Sequence, residues 1–383
     1  MIIDNLSIIA CLIIVLLTAT SLFANPFVRK IQNEGEADPR LVDEQHLPNV
    51  TVLVLANNNA QALDAHLPLL LTQDYPAAYE VVVVGEQGDL NVETVVKQFS
   101  QNKHLYATYI PPRSLFMSKK KLAVALGVKA AHYDWVILLD SNCHPVADTW
   151  LKSMASHMDI DANLVIGYSN YDEETKSYYR FDRLRNDCYL LRCAQRSIAY
   201  RANGVNIAFR KSEFIKDDGY RGNLHLVNGE YDFIVNKYAR TDSARIAIDE
   251  DAWIREEKPT PKAWHDRNIC YANVRKYLER SFGIRALYNV DMTMMHLNYI
   301  VLVLAIVAAS ILQNWIVLAV ASLALILTLV LRSMAAVKVY RQFGEHIACW
   351  KTVFFELYIV WHSLATNIRY AKSDKRDFST HKL

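Results

Sequence analysis

The distribution of apolar and charged positions separates membrane-like segments of the chain from soluble ones. The windows Asn5–Val28 and Met292–Leu331 contain no Asp, Glu, Lys or Arg. Because a helix needs about 20 apolar residues to cross a bilayer, the first window predicts one membrane span and the second predicts two. The sequence Gln-Asn-Trp at 313–315 predicts the turn between those two spans. No basic residue precedes the first window, which therefore indicates a retained anchor rather than a secretion signal.

Between the two windows, short apolar runs alternate with segments of helical spacing. The apolar runs predict strands at Val50–Leu55, Glu80–Val84, Leu105–Ile110 and Trp135–Leu139. The helical spacing predicts helices at Ala60–Leu71, Leu90–Phe99 and Lys119–His132. This alternation predicts an α/β domain with a mostly parallel sheet and crossover helices. Since ligands of such sheets bind beyond the carboxyl ends of the strands, we expect a site at 56–59, 85–89 and 140–144.

The end of the fourth predicted strand carries candidate metal ligands. Asp140 is the first polar residue after the apolar run, and Asn142 comes two positions later. In an extended chain these two side chains point to the same side. Their oxygen atoms suit Mg²⁺ or Mn²⁺, which would also bind phosphate oxygens. The alternative interpretation is an Asx turn that caps the next helix.

The basic residues predict an orientation in the membrane. They flank both windows, and the turn at 313–314 carries none; they are Arg29, Lys30, Arg275, Lys276, Arg280, Arg285, Arg332, Lys338 and Arg341. Under the positive-inside rule, the N-terminus lies outside, and residues 29–291 and the C-terminus lie in the cytoplasm. The sequence thus predicts a multi-pass membrane protein with its α/β domain in the cytoplasm. Its expected parts are an anchor at 1–28, the α/β domain at 29–291, two spans at 292–331 and a basic tail at 332–383.

The tail contains an aromatic-rich segment, Ile347–Ile368. Because this segment carries Lys351, Glu356 and His362, an amphipathic helix in the membrane interface is favoured over a fourth span. The basic sequence at 372–376 favours anionic lipid.

Composition limits the classes of function. Of the 383 residues, 52% are hydrophobic and 21% are charged, and the net charge is +2. These values exclude a disordered chain, and the small net charge argues against nucleic acid as a partner. The six cysteines form no Cys-x-x-Cys motif, so we expect free thiols and no structural zinc.

Seven segments, each a weak motif alone, follow one another in the order of a known family. They are VTVLVLANN at 50–58, LPLLLTQDYP at 67–76, EVVVVGEQGD at 80–89, KKKLAVALGVKA at 119–130, WVILLDSNCHP at 135–145, GVNIAFR at 204–210 with Gly219 and Tyr220, and GEYDFIVNK at 229–237. Together with the apolar windows, they resemble a membrane-anchored bacterial family 2 glycosyltransferase with a GT-A catalytic domain. Polysaccharide synthases and lipid-sugar transferases are members of that family.

The resemblance implies a donor, a metal and an acceptor. The donor would be a nucleotide-diphosphate sugar, and its binding residues would be Ala56, Asn58, Glu86, Lys121, Asp140 and Arg267. A divalent metal, Mg²⁺ or Mn²⁺, would lie at Asp140 and Asn142 and meet the charge of the leaving diphosphate. The acceptor would be lipid-linked or a glycan at the membrane, which makes the lipid bilayer a partner.

The resemblance also places the catalytic base at the start of the segment 229–237. Either Glu230 or Asp232 could take the proton of the acceptor hydroxyl, and Asp232 is favoured. The alternative role for both carboxylates is N-capping of a helix. A single displacement by the acceptor oxygen would invert the anomeric centre.

Four departures from the family pattern leave other functions open. Asn142 replaces the second Asp of the metal motif, Asn59 replaces a loop Glu, and Gly85 replaces an acid of the second loop. The stretch from Trp264 to Cys270 lacks the Arg-Trp pair of processive members, and Trp264 could be a stacking platform or a core residue. A pseudoenzyme or partner subunit and a processive polysaccharide synthase are therefore alternatives. The missing pair and the small number of spans favour transfer of one sugar.

Overall fold

The computed structural model describes residues 5–31, 47–56, 59–113, 117–196 and 198–380, and the chain forms two compact units. The first, here called the helical unit, comprises Met1–Ile31, Lys176–Tyr189 and Arg280–Leu364. The second, the α/β unit, comprises Gln32–Thr175, Leu190–Glu279 and Ala365–Leu383. Each unit combines segments that are far apart in sequence. The linear boundaries and the membrane sidedness expected above stay predictions.

The α-helices are numbered along the chain. They are α1 (Asn5–Ala24), α2 (Ala60–Leu71), α3 (Leu90–Gln98), α4 (Lys119–Ala130), α5 (Trp150–Ala155), α6 (Ser177–Arg196), α7 (Lys211–Lys216), α8 (Glu230–Tyr238), α9 (Pro261–Val274), α10 (Phe282–Ile311), α11 (Trp315–Gln342) and α12 (Cys349–Lys372).

The strands of the described residues all lie in the α/β unit. They are β1 (Val50–Leu55), β2 (Tyr79–Glu86), β3 (Leu105–Ile110), β4 (Trp135–Asp140), β5 (Cys143–Pro145), β6 (Leu164–Gly167), β7 (Ser169–Tyr171), β8 (Ile207–Arg210), β9 (Ala244–Ala247) and β10 (Ile254–Glu256). Seven form one sheet in the order β3-β2-β1-β4-β8-β6-β9. Its first four strands pair in parallel, and β8 runs antiparallel to both of its neighbours. The predicted mixed α/β architecture with a mostly parallel sheet is confirmed.

Local sequence explains why the first helices begin where they do. The side chains of Asn59, Asp89 and Ser118 cap α2, α3 and α4 by accepting backbone N–H bonds at 3.2–3.3 Å. Close packing then fixes α4 on the sheet. A Cβ at Gly127 would lie 2.2 Å from the Leu53 side chain, so the helix can approach β1 this closely only with glycine there.

A second, three-stranded sheet in the order β5-β10-β7 brings distant residues together. Glu256, at the end of β10, is paired in register with Cys143 of β5 and with Tyr171 of β7. The sheet therefore places the Glu256 carboxylate beside the loop that leaves β4 at Asp140.

The last described residues form a strap on the α/β unit. The backbone N–H of Val227 donates to the carbonyl of Phe378 at 3.0 Å, and that of Thr380 donates to the carbonyl of His225 at 2.9 Å. The buried Phe378 ring packs with Tyr370 and with Ala272 of α9. The segment predicted to be a basic tail thus holds the loop that leads into α8.

Among the described residues, three helices are long and apolar enough to cross a membrane: α1, α10 and α11. The predicted turn is present between α10 and α11, where Asn314 caps α11 by accepting the N–H of Val317 at 3.2 Å. Polar side chains link all three helices: Asn298 accepts a hydrogen bond from Thr18 at 3.0 Å and donates one to Thr328 at 3.1 Å. Such buried links are typical of helices that associate in lipid.

An ion pair lies at the end of the second charge-free window. The fully buried Arg332 donates to both carboxylate oxygens of Glu356 at 2.8 and 2.9 Å and to the carbonyl of Ser21 at 2.6 Å. Glu356 belongs to α12, which buries Thr352 and Ile359 on the same side. Its opposite side exposes large apolar residues, namely Trp350, Phe354, Tyr358, Trp361 and Leu364. The helix is amphipathic as predicted, and its place in a membrane interface stays a prediction.

Lys121 fixes the loop before α8 through hydrogen bonds to its backbone carbonyls. Its fully buried ammonium donates to the carbonyls of Asn223 and Leu226, both at 2.7 Å, and lies 4.8 Å from the centre of the Phe233 ring. Burial lowers the pKa of Lys121 to about 8. Since the side chain satisfies two backbone carbonyls, it is a structural element of the unit.

We expect Lys121→Met to destabilise the α/β unit by about 1–3 kcal/mol, because buried carbonyls would lose their donor. Thermal unfolding of the full-length protein in detergent measures the effect. Lys119→Met is the matched control, since an exposed ion pair such as that of Lys119 contributes about 0–1 kcal/mol. Equal unfolding temperatures for Lys121→Met and the wild type would contradict the structural role.

Candidate active site

A cavity of about 340 Å³ lies where β4 ends and α8 begins, with α9 as a further wall. Its lining includes five carboxylates and three cationic side chains, a formal excess of two negative charges. They are Asp140, Glu230, Asp232, Glu256 and Asp266, and Lys120, Arg201 and Arg267. A cavity with this balance is suited to a polar ligand accompanied by additional positive charge.

Asp140 lies in this cavity with both carboxylate oxygens bound. Oδ2 accepts a hydrogen bond from the Lys120 ammonium at 2.9 Å, and Oδ1 accepts one from the Tyr231 hydroxyl at 2.6 Å. Burial, followed by the nearby carboxylates of Asp140 and Glu230, raises the pKa of Tyr231 well above its ordinary value. The tyrosine therefore stays a neutral donor to Asp140.

Glu230 shares the same ammonium. Its Oε1 lies 2.9 Å from the Lys120 Nζ. Burial alone would raise the pKa of Glu230, but the Lys120 charge and the backbone N–H of Glu230 itself lower it overall. Glu230 is therefore held as an ionised and weakly basic carboxylate.

Asp232 faces a different partner. Its Oδ1 accepts a hydrogen bond from the Arg201 Nε at 3.0 Å, and the Arg201 guanidinium lies 3.6 Å from the centre of the Tyr271 ring. Burial raises the pKa of Asp232, an effect that Arg201 opposes only in part. Of the two carboxylates at the start of α8, Asp232 is thus the stronger base.

Backbone geometry decides how α8 presents these two residues. The helix begins after Gly229, whose φ of +94° is in the left-handed region. A Cβ at this position would also lie 2.6 Å from the Phe233 side chain. Because Gly229 is the N-cap and both carboxylates line the cavity, neither residue occupies the capping position considered from the sequence.

Glu256 connects the metal-motif loop to α9. Its Oε1 accepts a hydrogen bond from the Asn142 amide at 3.4 Å, and its Oε2 accepts one from Arg267 at 3.1 Å. Arg267 also donates to the Tyr171 hydroxyl at 2.9 Å. The structure thus directs the Asn142 amide group toward Glu256, while the Asp140 carboxylate meets Lys120 and Tyr231.

A second cavity, of about 930 Å³, lies beyond the ends of β1 and β2 and has a mostly polar lining. Glu86 is part of this lining, and its carboxylate pairs with the Lys119 ammonium at 2.7 Å. Asn59 also lines it. Ala56 is buried directly after β1, with its N–H bound to the carbonyl of Val84 at 3.0 Å. Asn58, predicted to bind the donor, lies outside the described residues.

The residues at the end of β4 fit a divalent cation. The carboxylates of Asp140 and Glu230 both lie 2.9 Å from the Lys120 ammonium, so the two side chains together already bind one positive charge. No three His, Cys, Asp or Glu side chains of the described part of the chain converge on a metal position. A metal bound here would therefore take several ligands from a phosphate-bearing substrate, as Mg²⁺ sites often do.

The structure changes the list of site residues in two ways. The Lys121 ammonium lies under the 223–226 loop, and Lys120 occupies the cavity in its place. Arg201, Tyr231 and Glu256 are functional candidates that the sequence did not reveal. Neither spacing nor hydropathy distinguishes them, because each acts through a partner that is distant in sequence. Trp264 is 4% exposed and belongs to the core.

The comparisons with known proteins concern the fold. No family model matches the chain, and no curated protein sequence matches it. Among solved structures, it is similar to the mannosyltransferase PcManGT from Pyrobaculum calidifontis in complex with GDP-Man and Mn²⁺. The TM-score is 0.54 and the identity 18%, over 95% of this chain and 100% of that one. TarS 1–349 from S. aureus in complex with UDP-GlcNAc gives a TM-score of 0.43 and 15% identity, over 64% of this chain and 71% of that one. The likeness to PcManGT shows that the chain has a fold similar to that of a solved glycosyltransferase.

Proposed function

We propose that the protein is an inverting glycosyltransferase of the GT-A type. It moves a sugar from a nucleotide-diphosphate sugar to a membrane-associated acceptor. The observation that carries the proposal is the 340 Å³ cavity, in which the carboxylates of Asp140 and Asp232 and the cations of Lys120 and Arg267 meet at the carboxyl end of β4. Donor and acceptor sites of an α/β fold are expected at this edge of the sheet.

The donor spans both cavities in this proposal. Its base and ribose lie over the ends of β1 and β2, near Glu86 and Ala56. Its diphosphate faces Asp140 and Arg267. Since acidic residues outnumber basic ones in the 340 Å³ cavity, a diphosphate needs additional positive charge there. Asp140 would hold a divalent metal, Mg²⁺ or Mn²⁺, which supplies positive charge to the leaving diphosphate when bound. The carbonyl oxygen of Asn142 would be a second ligand, because the hydrogen bond to Glu256 uses only its amide nitrogen.

Asp232 is the catalytic base in this proposal. Arg201 binds its Oδ1, so Oδ2 is the oxygen that takes the proton of the acceptor hydroxyl. The acceptor oxygen then forms the new glycosidic bond as the bond to the diphosphate breaks. Because this is one displacement, the anomeric configuration inverts. Glu230 is less suited to the role, since Lys120 holds it and its pKa is lowered.

A lipid-linked or glycan acceptor is supported by the composition of the chain. The three apolar helices α1, α10 and α11 support attachment to a bilayer, and the distribution of basic residues supports an α/β unit in the cytoplasm at the inner membrane. Transfer of a single sugar is favoured over processive synthesis. The length of the products in reconstituted membranes separates the two, because a processive synthase would release long chains.

Replacement of Asp140 tests the donor site. We expect Asp140→Ala to reduce release of nucleoside diphosphate from a nucleotide sugar by about 100-fold or more, because the metal that would meet the charge of the diphosphate loses its carboxylate ligand. A screen of nucleotide sugars with the wild type first identifies the donor. Full activity of Asp140→Ala would contradict the assignment. If calorimetry with Mn²⁺ and UDP or GDP shows no binding to the wild type, the chain is instead a pseudoenzyme.

Two isosteric changes separate the candidate bases. We expect Asp232→Asn to lower kcat by about 10²–10⁴-fold, since the acceptor would lose its general base. Glu230→Gln should lower it less, because Glu230 acts mainly as a partner of Lys120. A larger loss in Glu230→Gln than in Asp232→Asn would reverse the two roles. Binding of the donor, measured in parallel, identifies a change that disrupts the donor site instead.

The pH profile of the wild type should report the raised pKa of Asp232. A base acts only when ionised, so kcat/KM should fall as the pH drops through a pKa above that of an ordinary aspartate. In Arg201→Gln the opposing positive charge is gone, and the acidic limb should move to still higher pH. An acidic limb that stays in place in Arg201→Gln would contradict Asp232 as the group that titrates.

A further inference from the structure

The first turn of α4 carries three consecutive lysines that have three different partners. Lys119 pairs with Glu86 at 2.7 Å in the 930 Å³ cavity, and Lys121 is buried against backbone carbonyls. Lys120 enters the 340 Å³ cavity between Asp140 and Glu230. Successive helix positions differ by about 100° in direction, which is why neighbours in sequence diverge in this way. Of the three lysines, Lys120 is the one that occupies the Asp140 carboxylate, where a metal cation would also bind.

The Lys120 ammonium is held on three sides. It lies 2.9 Å from Asp140 Oδ2, 2.9 Å from Glu230 Oε1 and 4.6 Å from the centre of the Tyr231 ring. The side chains of Lys120, Asp140 and Glu230 are 27%, 16% and 11% exposed, so water screens these contacts only in part. Burial alone would lower the pKa of Lys120, but the two carboxylates raise it overall. Lys120 therefore stays positively charged between the two carboxylates and the Tyr231 ring.

A divalent cation at Asp140 would meet this ammonium at the same carboxylate. Oδ2 accepts from Lys120 and Oδ1 accepts from the Tyr231 hydroxyl, so a metal at either oxygen shares the carboxylate with a bound donor. Displacing the neutral hydroxyl would leave the metal close to a fixed positive charge, which is unfavourable at such a distance. Displacing Lys120 frees Oδ2 and removes the repulsion between the metal and the ammonium. The displaced ammonium then needs another negatively charged partner.

We propose that Lys120 and the divalent cation compete for Asp140, and that the diphosphate of the donor relieves the competition by receiving the displaced ammonium. The inference rests on the proposed function, because that function supplies the metal and the diphosphate. It assigns to Lys120 the coupling between metal binding and nucleotide binding. The metal alone binds weakly, and metal and nucleotide strengthen each other's binding, a coupling that is reciprocal by thermodynamic necessity.

Binding of Mn²⁺ to the full-length protein in detergent tests the competition without any turnover. Free Mn²⁺ is measured by electron paramagnetic resonance, first without nucleotide and then with saturating UDP or GDP. Without nucleotide, we expect Lys120→Met to bind Mn²⁺ about tenfold more tightly than the wild type, because a competing charge is gone. Nucleotide should tighten Mn²⁺ binding by a larger factor in the wild type than in Lys120→Met.

Three further variants control the experiment. Lys120→Arg keeps the charge, and its Mn²⁺ affinity without nucleotide should stay near that of the wild type. Lys119→Met removes one positive charge from the adjacent position and should also leave this affinity unchanged. Lys120→Gln is a second neutral variant in case Lys120→Met has a lower unfolding temperature than the wild type. Equal Mn²⁺ affinity of the wild type and a folded neutral variant would overturn the proposal.

The outcomes separate this inference from the proposed function. If the wild type transfers sugar and the neutral variants bind Mn²⁺ no more tightly, the competition is refuted and the transferase stands. If Mn²⁺ binding tightens as expected but no nucleotide sugar is turned over, the competition stands and the transferase is refuted. A nucleotide effect on Mn²⁺ affinity that is as large in Lys120→Met as in the wild type would refute the role of the diphosphate.

Discussion

Pairing of buried charge is the constraint on which the site depends. Five carboxylates and three cationic groups share one cavity of about 340 Å³, and a buried charge is costly unless it is paired. Each pair joins separate parts of the fold: Lys120 of α4 holds Asp140 of β4, and Arg201 holds Asp232 of α8. The same contacts that stabilise the cavity walls therefore set the chemical character of each carboxylate. Glu230 and Asp232 are two positions apart, yet their partners shift their pKa values in opposite directions.

Residues outside the cavity fix the loop that leads into α8 and so help to position the carboxylates of Glu230 and Asp232. The loop before α8 is fixed on one side by the buried Lys121 and on the other by the C-terminal strap around Phe378. The left-handed backbone at Gly229 then turns this loop into the helix. A long-range consequence is that residues near position 378 help to fix the carboxylates at 230 and 232, although hydrophobic periodicity alone gives no hint of that connection.

The helical unit obeys the same rule of pairing in an apolar setting. Arg332 and Glu356 bind each other, and Asn298 joins Thr18 to Thr328, so the polar groups face inward. The apolar side chains on the outside of α1, α10 and α11 are consistent with contact to lipid. Glu356, one of the residues that argued against a fourth span, is thus paired with Arg332. The opposite side of α12 exposes aromatic residues.

The sequence alone was enough to predict the strands and helices between residues 50 and 139, the three apolar helices, and the position of Asp140, Glu230 and Asp232 at the ends of elements. It could do so because periodicity, capping and strand ends are local properties of the chain. Three contacts follow from tertiary packing: Lys120 rather than Lys121 meets Asp140, the Asn142 amide nitrogen donates to Glu256, and Arg201 binds Asp232. These contacts depend on how a helix is rotated about its axis and on partners up to 114 residues away, and a local sequence pattern predicts neither.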